Sequence, residues 1–484
     1  MSKLRKNLTI YAGADILGRC IGLVTSPLVT RLLTEDQFGA VGLLVGVWTL
    51  VSMAQYAGMD AAFPMFRAQV SDEGDRRRIL VTSTIVATIS FAVVWGLFAV
   101  VGLAGPWLGG YARVDKLIVL VFLLSLIPTS LNQWYLYLLR YMHRAPAFAR
   151  ISLAGRVAGA LLALPLMWLV ATEHRLTVFY AVACLAQMLA LSMALREFRR
   201  IGRWPYATGG LDRPLARKML GYGMVLVPGF AVYAMCSVVD RLLVGWLARD
   251  QAHIITLAIQ LGAAITMLRG WFGMVWDPHM VEWLSTRDPK VYLPKLNLAL
   301  VVVSLVFFSL AALTALWSDW VVGLLYPASY MPTAALVPVL ALAGALSVLS
   351  LIGVATAMVA NSPRYHLPIY ACAMVINGTV GIWTIPKLGA LGAVLGTLAA
   401  EAFIILAWIT LGSCILRNLR LKWFIPAAFV IPAAALICLY SPGAILYHNV
   451  FLERLLLTVA VAAVALVLAR AFRPADGWRK ALQL

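Results

Sequence analysis

Long apolar runs broken by short polar stretches recur along the whole chain. Taking each run between two polar breaks as one span gives about fourteen, at roughly 8–33, 38–58, 79–104, 116–138, 148–171, 176–195, 218–247, 252–275, 297–323, 334–360, 366–386, 389–413, 423–440 and 453–471. A helix needs about 20 mostly apolar residues to cross a bilayer, and most of these runs have them. The pattern predicts an all-α polytopic membrane protein. It also repeats. LVTRLL at 28–33 returns as VVDRLL at 238–243, and EDQFG at 35–39 as RDQAH at 249–253. Each copy opens a set of six spans, so the expected organisation is two six-helix lobes in parallel repeat. The N-terminal lobe is expected over 1–200 (spans 1–6), a cytoplasmic linker over 201–217 and the C-terminal lobe over 218–413 (spans 7–12). Two extra helices and a cytoplasmic tail complete the chain over 414–484.

Composition narrows the class and gives an orientation. Hydrophobic residues make up 62% of the 484 positions and charged residues only 12%, against roughly 25% charged in soluble domains. The net charge of +19 would suggest nucleic acid in a soluble protein. Here it has a simpler cause. With the N-terminus inside, 28 lysines and arginines fall in inner segments and 7 in outer ones. That is the bias of cytoplasmic loops, and it puts both termini in the cytoplasm. The MSKLRKN start runs into an apolar segment too long for a cleaved signal peptide. The six cysteines form no CxxC pair and the six histidines have no ligand spacing, so no metal site, disulfide framework or bound cofactor is expected. No phosphate-binding glycine loop or nucleophile elbow is present, and the short outer loops leave no room for a catalytic domain.

The candidate chemistry lies in charges at bilayer depth, each costing several kcal/mol, about 2.5–3.5 on insertion scales, unless it faces protein or water. Arg19 is about eleven residues into span 1, roughly 17 Å along the helix at 1.5 Å per residue. Arg156 lies in span 5 and Arg269 in span 8. Facing one cavity, the three would make it cationic and suited to phosphate, whose oxygens match the planar guanidinium fork. The alternative is local pairing, as Asp15 and Arg19 at i, i+4 would allow. Asp240-Arg241, ending the first helix of the second lobe, reads as an outer gate or a structural pair. Glu401 in span 12 is an isolated carboxylate, fit to carry a coupling proton or to cap a packing contact. Asp60 and Arg67, after span 2, suit a helix-packing salt bridge at the inner surface. Gly13, Gly18, Gly22 and Pro27 interrupt span 1, and Gly221, Gly223, Pro228 and Gly229 interrupt span 7. Such interruptions fit a cavity-lining helix or close helix packing.

Several stretches together resemble the Wzx-type polysaccharide flippases of the multidrug/oligosaccharidyl-lipid/polysaccharide (MOP) exporter superfamily. They are SPLVTRLLTEDQFGAVGLL at 26–44, YAGMDAAFPMF at 56–66, GYGMVLVPGFAVYAMCSVVDRLLVGWL at 221–247, Trp276-Asp277-Pro278 and GALGAVLGTLAAE at 389–401. The resemblance implies translocation of undecaprenyl-diphosphate-linked oligosaccharide from the cytoplasmic to the periplasmic leaflet of a bacterial inner membrane, by alternating access of two lobes. Arg19, Arg156 and Arg269 would then hold the diphosphate. Asp15, Glu401, Asp240 and Arg241 would serve coupling or gating, with H+ or Na+ as the coupling ion. Other polysaccharide assembly proteins are expected partners, and the glycan (lipopolysaccharide O antigen, capsule, common antigen or exopolysaccharide) is left open. The alternatives are a cation-coupled drug exporter of the same superfamily and, from another class, a membrane glycosyltransferase or polymerase.

Overall fold

The computed structural model describes residues 2–105, 107–201, 210–262, 288–350 and 365–415, with Ile265, Thr266, Leu268, Arg269, Met280, Gly353, Ala355, Arg454, Thr458 and Val459. The chain is an all-α polytopic membrane protein. Among the described residues eight helices are long and apolar enough to cross a membrane. The helices are α1 (Ser2–Leu32), α2 (Glu35–Ser52), α3 (Met59–Ala68), α4 (Glu73–Ala104), α5 (Trp107–Ala112), α6 (Lys116–Tyr141), α7 (Ala145–Leu169), α8 (Arg175–Arg200) and α9 (Arg213–Leu247). They continue as α10 (252–262), α11 (Pro289–Leu325), α12 (Thr333–Val348), α13 (His366–Leu388) and α14 (Ala390–Ile415). Each expected span from 1 to 12 contains helix among its described residues, and span 2 keeps it only as far as Ser52. The Trp276-Asp277-Pro278 motif, nearly all of spans 13 and 14, and residues 202–209 of the 201–217 linker lie outside the described residues.

The chain divides into two compact units, Met1–Val238 and Val239–Leu484, with the division inside α9. In the first unit α1 packs on α7, α7 on α8, α8 on α6 and α6 on α4. The buried core joins Met59 and Phe63 of α3, Trp134 and Leu138 of α6, Phe198 of α8 and Met219 of α9. Span 2 is shorter than its apolar run. Its helix stops at Ser52, and Ala57 (φ 48°) and Gly58 (φ 72°) turn the chain left-handed into α3. A Cβ on Gly58 would lie 2.4 Å from the Gly223 backbone, and one on Gly223 would lie 2.7 Å from the Ala57 carbonyl oxygen. Glycine is required on both sides of this contact, which seats the start of α9 on the first unit. The prolines do not break their helices: α1 runs through Pro27 and α9 through Pro228. Near Pro27, the Thr25 and Thr30 hydroxyls donate to the Gly22 and Pro27 carbonyls of their own helix.

In the second unit α11 packs on α12, α12 on α14 and α13 on α14. Its core gathers Val244, Ile255, Leu336, Ile385 and Val394. The duplicated DQ motif does the same job in each unit. Gln37 completes a capping box with Thr34 at the start of α2, and its Nε2 donates to the Thr172 carbonyl between α7 and α8, at 2.8 Å. Gln251, before α10, accepts at Oε1 from the Ala390 N–H between α13 and α14, at 2.7 Å. Each glutamine ties the start of its lobe's second span to the turn between the fifth and sixth. Gly389 makes the second tie possible, because its φ of 59° and ψ of −139° suit glycine alone and a Cβ there would lie 2.2 Å from Gln251 Oε1.

Gly389→Ala is expected to destabilise the purified protein by about 1–3 kcal/mol, the cost of such a backbone conformation. Gln251→Ala should cost about 1 kcal/mol, one hydrogen bond. Gly13→Ala meets open space inside α1 and should leave the melting temperature unchanged or slightly raised. Thermal unfolding in detergent, followed by tryptophan fluorescence, checks all three.

Candidate functional site

The first unit gathers its intramembrane charges on one carboxylate. Asp15 and Arg19 are one turn apart on α1, and Arg19 Nε donates to Asp15 Oδ2 at 2.8 Å. Arg156, reaching from α7, donates through Nη2 to Asp15 Oδ1 at 3.4 Å. The local pair expected from spacing is therefore present, and a second arginine shares it. Two guanidiniums on one carboxylate leave one net positive charge. The Arg19 and Arg156 side chains keep 41% and 36% of their surface accessible. Charged donors facing acyl chains would be costly, so such accessible surface calls for protein or water beside it.

Local geometry explains how Arg156 reaches α1. A Cβ on Gly18 would lie 2.0 Å from Arg156 Nη1 and 2.6 Å from its Cδ. The missing side chain at Gly18 is the slot through which Arg156 crosses. Tyr11, two turns before Gly18, stacks edge-on against Phe148 of α7, and its hydroxyl donates to the Arg140 carbonyl. These contacts hold α1 against α6 and α7 on the N-terminal side of the charged cluster. Gly18 thus has a packing role beside the charges, while Gly13 and Gly22 have open space where a Cβ would stand.

In the second unit Arg269 donates to Ser350 Oγ at 2.6 Å. Glu401 lies within electrostatic reach of the Arg269 charge, so it is not the isolated carboxylate expected from sequence. The reason is tertiary: spans 8 and 12 bring together residues 132 positions apart. Asp240 is buried, 4% exposed. One of its oxygens accepts from the Arg241 N–H at 2.7 Å and the other from the Thr397 hydroxyl at 3.3 Å. This ties α9 to α14 at the repeat motif. The corresponding position in the first unit is Thr30, whose hydroxyl turns back to Pro27 within its own helix. Asp60 contributes its carbonyl, which accepts from the Tyr137 hydroxyl, and Arg67 lies over the Phe63 ring at 5.9 Å. Ser350, Thr397 and Gly18 were not legible as partners, because single small or hydroxyl residues in apolar helices carry no spacing signal.

The described arrangement can do three things. The Asp15 cluster can hold an anion by charge and by fork geometry. The Arg269–Glu401 neighbourhood can exchange one charge for another when an ion or anion arrives. The Asp240–Thr397 contact can couple the charge state of Asp240 to the packing of α9 on α14.

Comparison with known proteins agrees with this architecture. The sequence profile of a family described as polysaccharide biosynthesis protein matches residues 4–284, more than half of the chain. No curated protein matches the sequence. Among solved structures, the lipid II flippase MurJ in an inward closed conformation aligns with TM-score 0.71 at 13% identity, covering 95% of this chain and 98% of that one. An inward-facing multidrug resistance MATE family transporter of the MOP superfamily aligns with TM-score 0.63 at 13% identity, over 90% and 96%. The eukaryotic MATE transporter AtDTX14 aligns with TM-score 0.53 at 13% identity, over 90% and 100%. At these identities the structural likeness is one of fold. Together with the profile match, it means that the chain belongs to the polysaccharide biosynthesis protein family, as its resemblance to the Wzx-type members of the MOP superfamily implied.

Proposed function

We propose that the chain is a flippase for undecaprenyl-diphosphate-linked oligosaccharide repeat units, moving them from the cytoplasmic to the periplasmic leaflet of a bacterial inner membrane for surface polysaccharide synthesis. The observation that carries this reading is the Asp15 cluster, where two arginines share one carboxylate in a membrane-spanning helix pair and remain partly accessible. A diphosphate offers several oxygens at short spacing. Arg19 and Arg156 can each present a fork to it while Asp15 fixes their positions, and Arg269 is a third candidate contact from the second lobe. The work is binding and release, with no bond made or broken. The glycan passes through water-filled space, and the lipid tail stays in the bilayer.

In this reading the two lobes alternate access to the two leaflets. Binding of H+ or Na+ at Glu401 or Asp240 biases the return of the empty carrier. Asp240 and Arg241 act at the coupling end of α9. Asp15 has a double role, since it holds the arginines when the cavity is empty and competes with the substrate for them. The fold shared with MATE transporters supports a second reading, a cation-coupled drug exporter. The net positive charge around Asp15 favours the anionic substrate over a cationic one.

Reconstituted proteoliposomes test the reading directly. A fluorescent diphosphate-linked oligosaccharide lipid is placed in both leaflets, and its exposure to an external glycan-cleaving enzyme is followed under an imposed ion gradient. Wild type should move the lipid and empty liposomes should not. Arg19→Ala and Arg156→Ala should each slow exchange by roughly tenfold to a hundredfold, the worth of a hydrogen bond to a charged group. Equal rates for wild type and empty liposomes, with efflux of a cationic dye instead, would establish the drug-exporter reading.

Gly18→Ala is a sharper probe. It adds one methyl and favours the helix by about 1 kcal/mol, yet it fills the slot used by Arg156. Lipid exchange should fall toward the Arg156→Ala rate while the melting temperature holds. Asp15→Asn should tighten binding of a soluble pyrophosphate probe, measured by calorimetry, because both guanidiniums lose their resident anion.

A further inference from the structure

A second cationic site lies in the first unit, at the start of α4. Among the described residues, a cavity of about 340 Å³ opens between the end of α3, the first turns of α4 and the end of α8. Arg67, Arg76 and Arg77 line it, with Glu73 as its acidic member, and Leu80 and Ile201 form its apolar side. Three guanidiniums against one carboxylate leave two net positive charges. Arg76 is fixed in place: Nε donates to the Val70 carbonyl at 3.1 Å and Nη1 to Glu73 Oε1 at 3.4 Å. These contacts leave Nη2 without a protein partner among the described residues. Arg77 is exposed and makes no hydrogen bond or ion pair among them. By contrast Arg78, the next residue, pairs with Asp75 at 3.8 Å and does not line the cavity.

Size and position limit the ligand. Pockets for drug-sized molecules run from about 300 to 1,000 Å³, and this cavity, at the low end, has room for a headgroup-sized ligand but not for an oligosaccharide. It lies where α4 changes from polar to apolar: Glu73 to Arg78 are charged or polar apart from Gly74, and the buried Ile79 and Leu80 begin the apolar run. That boundary is the depth of lipid headgroups. The surrounding arginine-rich segments are those whose excess marks the cytoplasmic side, where anionic lipids attract basic residues.

We propose that this cavity binds a phosphate ester, presented by the headgroup of an anionic glycerophospholipid in the adjacent leaflet. Arg76 and Arg77 grip the phosphate oxygens, Arg67 adds charge behind them, and the Leu80–Ile201 side receives the glycerol end. The lipid then bridges α3, α4 and α8 at one end of the lobe and stabilises that end of the unit. The site shares no residue with the Asp15 cluster and stands whether or not the flippase reading holds.

The full-length chain in mild detergent tests this with three probes: short-chain phosphatidylglycerol, short-chain phosphatidylcholine and soluble glycerol 3-phosphate. Native mass spectrometry reads bound lipid, and thermal unfolding reads stabilisation. Wild type should retain phosphatidylglycerol well above phosphatidylcholine. Arg76→Gln/Arg77→Gln should weaken that retention by about fivefold for each arginine removed, the worth of a basic residue at an anionic membrane surface. Arg78→Gln should behave as wild type. Should the double variant melt early on its own, the single Arg77→Gln, which breaks no contact, carries the comparison. Equal retention by wild type and the arginine variants would overturn the site. An equal loss in Arg78→Gln would reduce it to general surface charge. Stabilisation by glycerol 3-phosphate as strong as that by the lipid would overturn the lipid as the source of the phosphate.

Discussion

Hydrocarbon offers no water to a peptide group or a charge, and both must find partners within the protein. The backbone meets this condition by becoming helix over nearly all of the expected spans that are described. The side chains meet it less completely. Asp15 satisfies two arginines at once, Asp240 takes one donor from its own helix and one from α14, and Arg269 takes Ser350. Among the described contacts, the Asp15 cluster sets two guanidiniums on one carboxylate. An excess guanidinium at depth costs stability unless it faces protein or water.

The apolar pattern made the helices legible because bilayer thickness sets a length that no other feature of the chain imitates. It placed the spans within a few residues, except where a left-handed turn at Ala57 and Gly58 cut span 2 short. The i, i+4 spacing of Asp15 and Arg19 made their pairing legible too. The third member was not. Arg156 lies 141 residues from Asp15, and nothing in its own helix announces the partner. What admits it is an absence, the missing side chain at Gly18, and sequence alone cannot separate that glycine from Gly13 or Gly22. Glu401 looked isolated for the same reason, since Arg269 comes near it only through the fold.

The two units use related sequence for different electrostatic ends. Where the first repeat has Thr30, folded back on its own helix, the second has Asp240, which reaches another helix. In the first unit Arg19 of α1 and Arg156 of α7 share Asp15, whereas in the second Arg269 donates to Ser350 with Glu401 within electrostatic reach. The same repeat motif thus sits among unlike charged contacts in the two units.

The paired glutamines show how far duplicated halves can drift while their letters stay the same. Thr172 offers Gln37 a carbonyl, so that amide must present its nitrogen; Ala390 offers Gln251 an N–H, so that amide must present its oxygen. Glutamate, alike in shape, could still accept from Ala390 but could not donate to Thr172. One and the same mutation would thus be conservative in one half and disruptive in the other. The halves remain recognisable as copies, but their turns are no longer spare parts for each other.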